Sequence, residues 1–247
     1  ENKKNKRVAV YTALFGNSDE LKKPKKTEKE IDYFCFTNNP SLVSDKWNII
    51  LLPVLYYDPR MSARSLKILS HKILNKYDYS VWIDATCTIY NSINDLIFNF
   101  GESENIISFN HPNRKCIYKE ARICQLYGYD KFRTISKQIE WYKKLEYPKN
   151  NGLASTAVLI RRNNENDVKV LNEEWWNIVS NYSNRDQLSF NFIIWKYGIK
   201  NHMKEYHILE KFFYITPHKH LSFYFDNGKM IKSIRSMFLG FYRKLRG

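Results

Sequence analysis

The sequence lacks the short motifs that mark several common binding and catalytic sites. It contains no GxGxxG and no GxxxxGK[ST], so neither a dinucleotide-binding turn nor a phosphate-binding P-loop is indicated. It contains no GxSxG and no HExxH, which argues against a hydrolase nucleophile turn and a zinc-protease helix. The four cysteines form no CxxC pair, and a structural zinc site is therefore not expected.

Two kinds of apolar segment are also missing. No stretch approaches the roughly 18–20 continuous apolar residues of a membrane span, and the chain opens without a charged-then-apolar leader. We therefore expect a cytoplasmic protein with reduced thiols. Packing in the core is the ordinary role for such cysteines, which are Cys35, Cys87, Cys116 and Cys124.

Positive charge is abundant. The 247 residues include 40 Lys and Arg against 25 Asp and Glu, a net charge of +15. This excess favours a polyanionic partner: nucleic acid, an anionic membrane or a phosphate-bearing substrate. The basic residues are densest near the two ends of the chain.

Short apolar strands alternate with amphipathic helices along the chain, which predicts one α/β domain with a mostly parallel central sheet flanked by helices. We assign this domain to residues 7–225 and a basic tail to residues 226–247. The predicted strands are 7–15, 31–37, 47–54, 79–84, 105–110 and 155–162. The predicted helices are 61–76, 92–100, 117–143, 168–183 and 185–198.

Polar residues follow three of the predicted strands. Ligands of open α/β sheets bind beyond the carboxyl ends of the strands, so these residues are expected to share one crevice. They are Gly16, Asn17, Asn38, Asn39 and Asp84. Asp84 stands out because it ends the buried strand "YSVWID".

Eight blocks occur in an order that resembles a glycosyltransferase-like domain family long described as of unknown function, with bacterial surface-polysaccharide and plant mucilage- and pollen-related members. The resemblance covers about residues 7–220 and implies a GT-A fold that transfers a sugar from a nucleotide-sugar donor, UDP-linked in the first instance. The blocks are "VAVYTALFGNSDELKKP", "DYFCFTNNP", "ARSLKILSHKIL", "YDYSVWIDATCTI", "FNHPNRKCIYKEA", "NGLASTAVLIRRNN", "WWNIVSNYSNRDQLSF" and "PHKH".

The resemblance implies a divalent cation, Mn²⁺ or Mg²⁺, on the donor diphosphate. Asp84-Ala85-Thr86 stands where related enzymes have Asp-x-Asp, and Thr86 departs from that pattern. A hard cation held by carboxylates would neutralise the leaving diphosphate. A late imidazole, His218 or His220, would complete the metal shell. The alternative for Asp84 is a cap on the following turn.

Donor contacts are implied for the loops after the first two strands and for one helix. Arg64, Lys67 and His71 lie at helical spacing and would face the diphosphate, or would form a solvated basic face. Asp19 is a further candidate for the base or ribose, as an alternative to Thr12. The full donor set is Tyr11, Thr12, Phe15, Gly16, Thr37, Asn38, Arg64, Lys67, Asp84, Arg185 and Gln187.

Three residues are candidates for catalysis: Asp186 beside the donor sugar, and Glu120 or His111 at the acceptor hydroxyl. The ordinary alternatives are a helix N-terminal acid for Asp186 and local capping or surface pairing for the other two. The acceptor itself is expected to contact Arg114, Tyr118, Asn151 and Gly152.

The tail "KMIKSIRSMFLGFYRKLRG" combines apolar residues at helical spacing with basic residues. This pattern predicts a basic amphipathic helix on an anionic bilayer, at the inner face of the membrane, or else a helix docked on the protein. The acceptor would then be a growing surface polysaccharide or a lipid-linked glycan.

Two other functions fit the composition. The net charge and the 39 aromatic residues (18 Tyr, 15 Phe and 6 Trp) also suit a nucleic-acid-binding protein. A non-catalytic glycan-binding module would use the aromatics to stack on sugars. No nucleic-acid partner is expected, because no RNA-binding motif occurs and the basic residues are not interleaved with aromatics in one run.

Overall fold

The secondary structure was obtained from a computed structural model, which describes residues 6–16, 19–101 and 104–216 and the backbone of two short strands near the C-terminus. The strands are β1 (Val8–Leu14), β2 (Ile31–Thr37), β3 (Asn48–Leu51), β4 (Tyr79–Ile83), β5 (Cys87–Ile89), β6 (Ile106–Asn110), β7 (Ala154–Arg162), β8 (Phe213–Ile215), β9 (Phe225–Asp226) and β10 (Lys229–Met230). The helices are α1 (Pro59–Ile68), α2 (Ser70–Ile73), α3 (Ile93–Phe100), α4 (Ile117–Leu126), α5 (Phe132–Lys144), α6 (Asn166–Asn181), a 3-10 helix (Asp186–Leu188), α7 (Phe190–Lys196) and α8 (Tyr206–Glu210).

The central sheet has six strands in the order β3-β2-β1-β4-β7-β6. The pairs β3-β2, β2-β1 and β1-β4 are parallel, whereas β7 runs antiparallel to both β4 and β6. The predicted α/β class and mostly parallel sheet are confirmed. The reversed β7 has a consequence for the site, because it brings its first residues to the edge where the parallel strands end.

The two faces of the sheet bury different helices. Along β1, Ala9, Tyr11 and Ala13 pack with α1 and α4 to α7, while Val8 and Val10 pack on the other face with α3, α8, β5 and β8. This alternation follows from the period of two along a strand. Because both faces are covered, β1 is apolar at nearly every position, as expected for a central parallel strand.

Three of the predicted helices are each divided in the structure, and the last of them, 185–198, becomes the 3-10 helix and α7 on either side of Ser189. The first ends at Ile68 and α2 begins at Ser70, because Leu69 leaves the helical conformation at φ −89° and ψ 41°. The second divides into α4 and α5 around Gly128, whose φ of +64° is left-handed. Among the described residues, no helix is long and apolar enough to cross a bilayer.

Some elements were not predicted, and the tail stays untested. The small sheet of β5 and β8 and the helix α8 were missed because each spans only three to five residues.

Most of residues 226–247 lies outside the described part, so the amphipathic helix remains a prediction. The first two residues of that helix, Lys229–Met230, pair as a strand with Phe225–Asp226.

A buried arginine on β7 joins the sheet to the end of α1. Arg161 is fully buried and donates hydrogen bonds to the carbonyl oxygens of Lys67 and Ile68 at 2.7 and 3.1 Å. It also donates to the Tyr11 hydroxyl at 2.5 Å and to Asn172 Oδ1 at 2.9 Å. Burial lowers its pKa. Arg161 therefore satisfies carbonyl groups that the helix end leaves without intrahelical donors.

We expect Arg161→Met to lower the free energy of unfolding by about 2–4 kcal/mol, because buried carbonyls would lose charged donors. The control is Arg162→Met on the next residue, which removes a half-exposed pair with Glu165 (3.4 Å) and is expected to cost less than about 1 kcal/mol. Urea denaturation of both variants would measure the difference. Equal losses would show that Arg161 has no special structural role.

Candidate functional site

A cleft of about 960 Å³ opens at the carboxyl ends of β1 and β4. The start of α1 forms one wall, and the first residues of β7 and the 3-10 helix form the other. The cleft therefore lies where sheets of this class bind ligands. Its lining includes Phe15, Gly16, Asp19, Asp58, Arg60, Arg64, Trp82, Asp84, Tyr127, Tyr129, Ser155, Thr156, Arg185, Asp186 and Gln187.

A buried ammonium group forms the floor of this cleft. The side chain of Lys67 is only 1% exposed, and its Nζ lies 2.6 Å from Asp186 Oδ2 and 3.3 Å from Asp84 Oδ1. Nζ also lies 5.5 Å from the centre of the Trp82 ring, within cation–π distance. A buried charge is tolerated only when paired, and here two carboxylates supply the pairing.

Asp186 uses both of its carboxylate oxygens within the protein. Oδ1 pairs with Arg64 at 3.2 Å, and Oδ2 accepts a hydrogen bond from the Thr156 hydroxyl at 2.9 Å in addition to its pair with Lys67. Burial alone would raise the pKa of Asp186, but the positive charges of Arg64, Lys67 and Arg185 hold it well below its usual range. Asp186 is therefore ionised at neutral pH and pairs with the cations around it.

Asp84 is more open. Its side chain is 22% exposed, and Oδ1 accepts from the Trp82 indole at 2.8 Å as well as from Lys67. Its backbone carbonyl accepts from the amide of Cys87 at 2.8 Å, so the residue also closes the turn into β5. The backbone of Asp84 thus takes part in the turn, while the role predicted for its side chain in donor or metal binding stays a prediction.

The described residues supply no cluster of three or more protein ligands for the expected divalent cation. Within residues 6–16, 19–101 and 104–216, no three His, Cys, Asp or Glu side chains gather closely enough to hold a metal ion. Lys67 and Trp82 already contact one oxygen of Asp84. Thr86 is buried, and its carbonyl accepts from Thr216. His218 and His220 lie outside the described residues, so their role stays a prediction.

The basic face of α1 lies one turn earlier than predicted. Arg60, Arg64 and Lys67 point toward the cleft or its floor at i, i+4 and i+7. His71 belongs to α2 and bonds Glu173 instead, at 3.1 Å, which corrects its assignment to this face. Burial lowers the pKa of His71. The break at Leu69 causes the change, and spacing back from Arg64 could have identified Arg60.

Three residues predicted to contact the nucleotide are buried in the core. Tyr11, Thr12 and Thr37 are each fully buried. The Tyr11 hydroxyl donates to the carbonyl of Lys67 at 3.0 Å, and Thr37 Oγ1 accepts from the amide of Asn39. The prediction of direct base contacts is therefore wrong for the described conformation, because these side chains offer no surface to a ligand.

The loop after β1 does reach the cleft. Phe15 and Gly16 line it, and the amide of Gly16 donates to Asn38 Oδ1 at 3.0 Å, so the ends of β1 and β2 meet as predicted. The φ of +71° at Gly16 suits glycine. A second pocket of about 420 Å³ adjoins this loop and is lined by Asn39, among others. Asn17 lies outside the described residues.

The predicted acceptor cluster lies behind the cleft rather than in it. Glu120 is buried and paired with Arg114, while His111 Nδ1 accepts from the backbone amides of Asn113 and Arg114 at 3.0 and 3.1 Å. Burial and the nearby Arg114 charge lower the pKa of His111. Neither Glu120 nor His111 lines the described cleft, so their catalytic role stays a prediction.

The other predicted acceptor residues occupy the same region. The Tyr118 hydroxyl donates to the carbonyl of Tyr147 at 2.6 Å, and Asn151 is exposed. Gly152 has φ +79°, and a Cβ there would lie 2.5 Å from Met203 Cε. None of Arg114, Tyr118, Asn151 and Gly152 lines the described cleft.

Sequence reasoning missed two groups in the cleft wall. Ser155 and Thr156 enter from the start of β7, which only the reversed strand direction makes possible.

Tyr127 and Tyr129 lie at the turn after α4 with rings stacked 5.6 Å apart, and the Arg185 guanidinium lies 4.8 Å from the Tyr129 ring. The turn signal at Gly128 was the available clue to this aromatic wall.

The Asp186 network predicts a defined dependence of stability on pH. A depressed pKa in the folded state means that the stabilisation is complete above the unfolded pKa of about 4 and is lost as the pH falls below it. We expect Asp186→Asn to be less stable by about 3 kcal/mol at neutral pH. The gap should narrow below about pH 4, because only the parent protein loses this contribution.

Denaturant titrations at several pH values would measure this gap. Glu140→Gln, on the exposed side of α5, is the control and should follow the parent at every pH. A gap that stays constant through the acid range would contradict the ion-pair account of Asp186.

Comparison with known proteins identifies a family for this chain. No curated protein sequence matches the chain. The profile described as TOD1/MUCI70, glycosyltransferase-like domain, matches residues 1–214. That match extends from before β1 to β8 and includes each described residue of the cleft. The chain therefore belongs to the TOD1/MUCI70 family of glycosyltransferase-like domains.

Proposed function

We propose that this protein is a glycosyltransferase that moves a sugar from a nucleotide-sugar donor to a glycan acceptor. A UDP-linked sugar is the first candidate for the donor. Family membership supports a general glycosyltransferase role, with a sugar donor and a glycan acceptor. The proposal of a nucleotide-sugar donor rests on the cleft at the strand ends. The wall of this cleft presents Arg60, Arg64 and Arg185. Guanidinium groups suit the phosphates of such a donor.

The proposed reaction exchanges one bond at the anomeric carbon of the donor sugar. The bond from this carbon to the phosphate oxygen breaks, and its electron pair stays with the leaving nucleoside phosphate. The acceptor hydroxyl oxygen forms the new bond, and its proton is released to solvent. Catalysis would come from positioning the reactants and from stabilising the negative charge that develops on the leaving group.

The carboxylates have different proposed roles. Asp84 retains an oxygen, Oδ2, for which the described residues supply no hydrogen bond, so it is proposed to accept from a hydroxyl of the donor. Asp186 is proposed as a positioning residue, because its two oxygens are engaged by Arg64, Lys67 and Thr156. This revises its expected role as the reacting carboxylate.

The proposal for the acceptor rests on the sequence of the basic tail. We propose a surface polysaccharide or lipid-linked glycan, reached by a protein that lies peripherally at the inner face of the membrane through its basic tail. Each basic residue near an anionic surface contributes about 1 kcal/mol.

Activity with a panel of nucleotide sugars tests the proposal. We expect release of the nucleoside phosphate from one donor class, accelerated by a glycan acceptor. Asp84→Asn should reduce turnover by about 10²–10³, the usual cost of removing one transition-state contact.

The matched control is Asp78→Asn, since Asp78 precedes β4 and Asp84 follows it, at the opposite edge of the sheet. Asp78 is exposed, so this variant should retain parental activity. Absence of turnover with every donor by folded protein would overturn the proposed reaction. Full activity in Asp84→Asn would overturn only the role of that residue.

Membrane association has its own test. The full chain should sediment with vesicles of anionic phosphatidylglycerol and far less with phosphatidylcholine, and added salt should weaken binding. Replacing Lys232, Arg235, Arg243 and Lys244 with Gln should abolish binding. Unchanged sedimentation of that variant would contradict the tail as the anchor.

A further inference from the structure

We propose that Arg60 and Arg64 bind the diphosphate of the donor directly, and that the fixed ammonium of Lys67 makes a divalent cation at Asp84 unnecessary for donor binding. This inference rests on the proposed function and specifies how the nucleoside diphosphate is recognised. It departs from the expectation that Asp84 holds Mn²⁺ or Mg²⁺.

The first reason is the group that already contacts the carboxylates. A divalent cation on Asp84 would lie beside Lys67 Nζ, which is 3.3 Å from Asp84 Oδ1. Lys67 is buried and is held by Asp186 at 2.6 Å, so moving it away from Asp84 would break or rearrange a buried ion pair. Two cations that share one carboxylate repel each other, most strongly where water is excluded. The ammonium thus already occupies the position beside Asp84 Oδ1 that a metal ion would need.

The second reason is the number of donors on the wall of the cleft. Arg60 and Arg64 lie one turn apart on α1, and both line the cleft. The described contacts of Arg60 use one N–H, to the Tyr129 carbonyl at 3.5 Å, and those of Arg64 use two, to Asp186 and the Asn184 carbonyl. Each guanidinium has five N–H donors. Several donors therefore remain for phosphate oxygens.

The third reason is that the nearest acid on this helix is already engaged. Asp58 Oδ1 accepts from the backbone amides of Arg60 and Met61 at 2.7 and 3.2 Å, as the cap of α1. The Arg60 side chain is exposed and makes no described ion pair with that carboxylate. Arg60 therefore presents a positive charge with no described ion pair, next to the guanidinium of Arg64, whose described ion pair is with Asp186. A diphosphate carries negative charges that complement this pair of guanidinium groups.

Calorimetric titration of the full chain with UDP, GDP, CDP and ADP tests this inference. Each nucleotide is titrated once in excess EDTA and once with Mn²⁺. We expect one nucleotide to bind with the same dissociation constant under both conditions. Arg60→Met should weaken that binding by roughly tenfold to a hundredfold, the loss expected for a charge-assisted hydrogen bond.

Arg133→Met is the matched control, because Arg133 is an exposed arginine on α5, outside the described cleft. It should leave the dissociation constant unchanged. Arg60 is exposed, so Arg60→Met is expected to keep the parental melting temperature, which separates lost binding from lost folding. Arg64→Met provides a second variant of the same site and should weaken binding in EDTA as well.

Each outcome has one meaning. Binding in EDTA that Arg60→Met weakens and Arg133→Met does not would support the inference. Binding that appears only with Mn²⁺ would overturn the inference and leave the proposed glycosyltransferase function intact. Binding in EDTA that is insensitive to both Arg60→Met and Arg64→Met would overturn the assignment of the site. No binding of any nucleotide in either condition would overturn the inference together with the proposed donor class.

Discussion

The buried ion pair between Lys67 and Asp186 is the interaction on which the rest of the site depends. It joins α1 to the 3-10 helix across the floor of the cleft, with Nζ and Oδ2 only 2.6 Å apart. Removing one member of such a pair leaves an uncompensated buried charge, which is far more costly than losing an exposed pair. The same contact therefore fixes the geometry of the floor and holds α1 to the 3-10 helix.

Arg161 also holds Lys67 in place. It bonds the carbonyl of Lys67, the residue whose ammonium forms the floor, and it reaches the hydroxyl of Tyr11 on β1. The backbone and the side chain of Lys67 are thus held by different parts of the structure. A rigid floor of this kind suits a site that works by positioning charged groups, because little reorganisation is needed when a ligand binds.

The charged groups of the cleft fall into two sets. One set is already paired within the protein, and the other remains available to a ligand. Asp186 is satisfied within the protein, and its low pKa keeps it ionised. Arg60 and one oxygen of Asp84 have few described partners and face the cleft. This arrangement leaves the groups with few partners at the wall of the cleft, while the groups of the floor are satisfied within the protein.

The sequence by itself determined most of the larger elements and the positions of several candidate site residues. The bounds of β2 match the predicted strand 31–37, and Asp84, Arg64 and Lys67 lie in or beneath the cleft because strand ends and helical spacing are local properties that a sequence records. Only the tertiary structure decided the direction of β7, which exposes Thr156 to the cleft. It also decided the burial of Tyr11 and the pairing of Lys67 with Asp186. These features depend on which distant segments meet, and the periodicity of one segment carries no information about its partner.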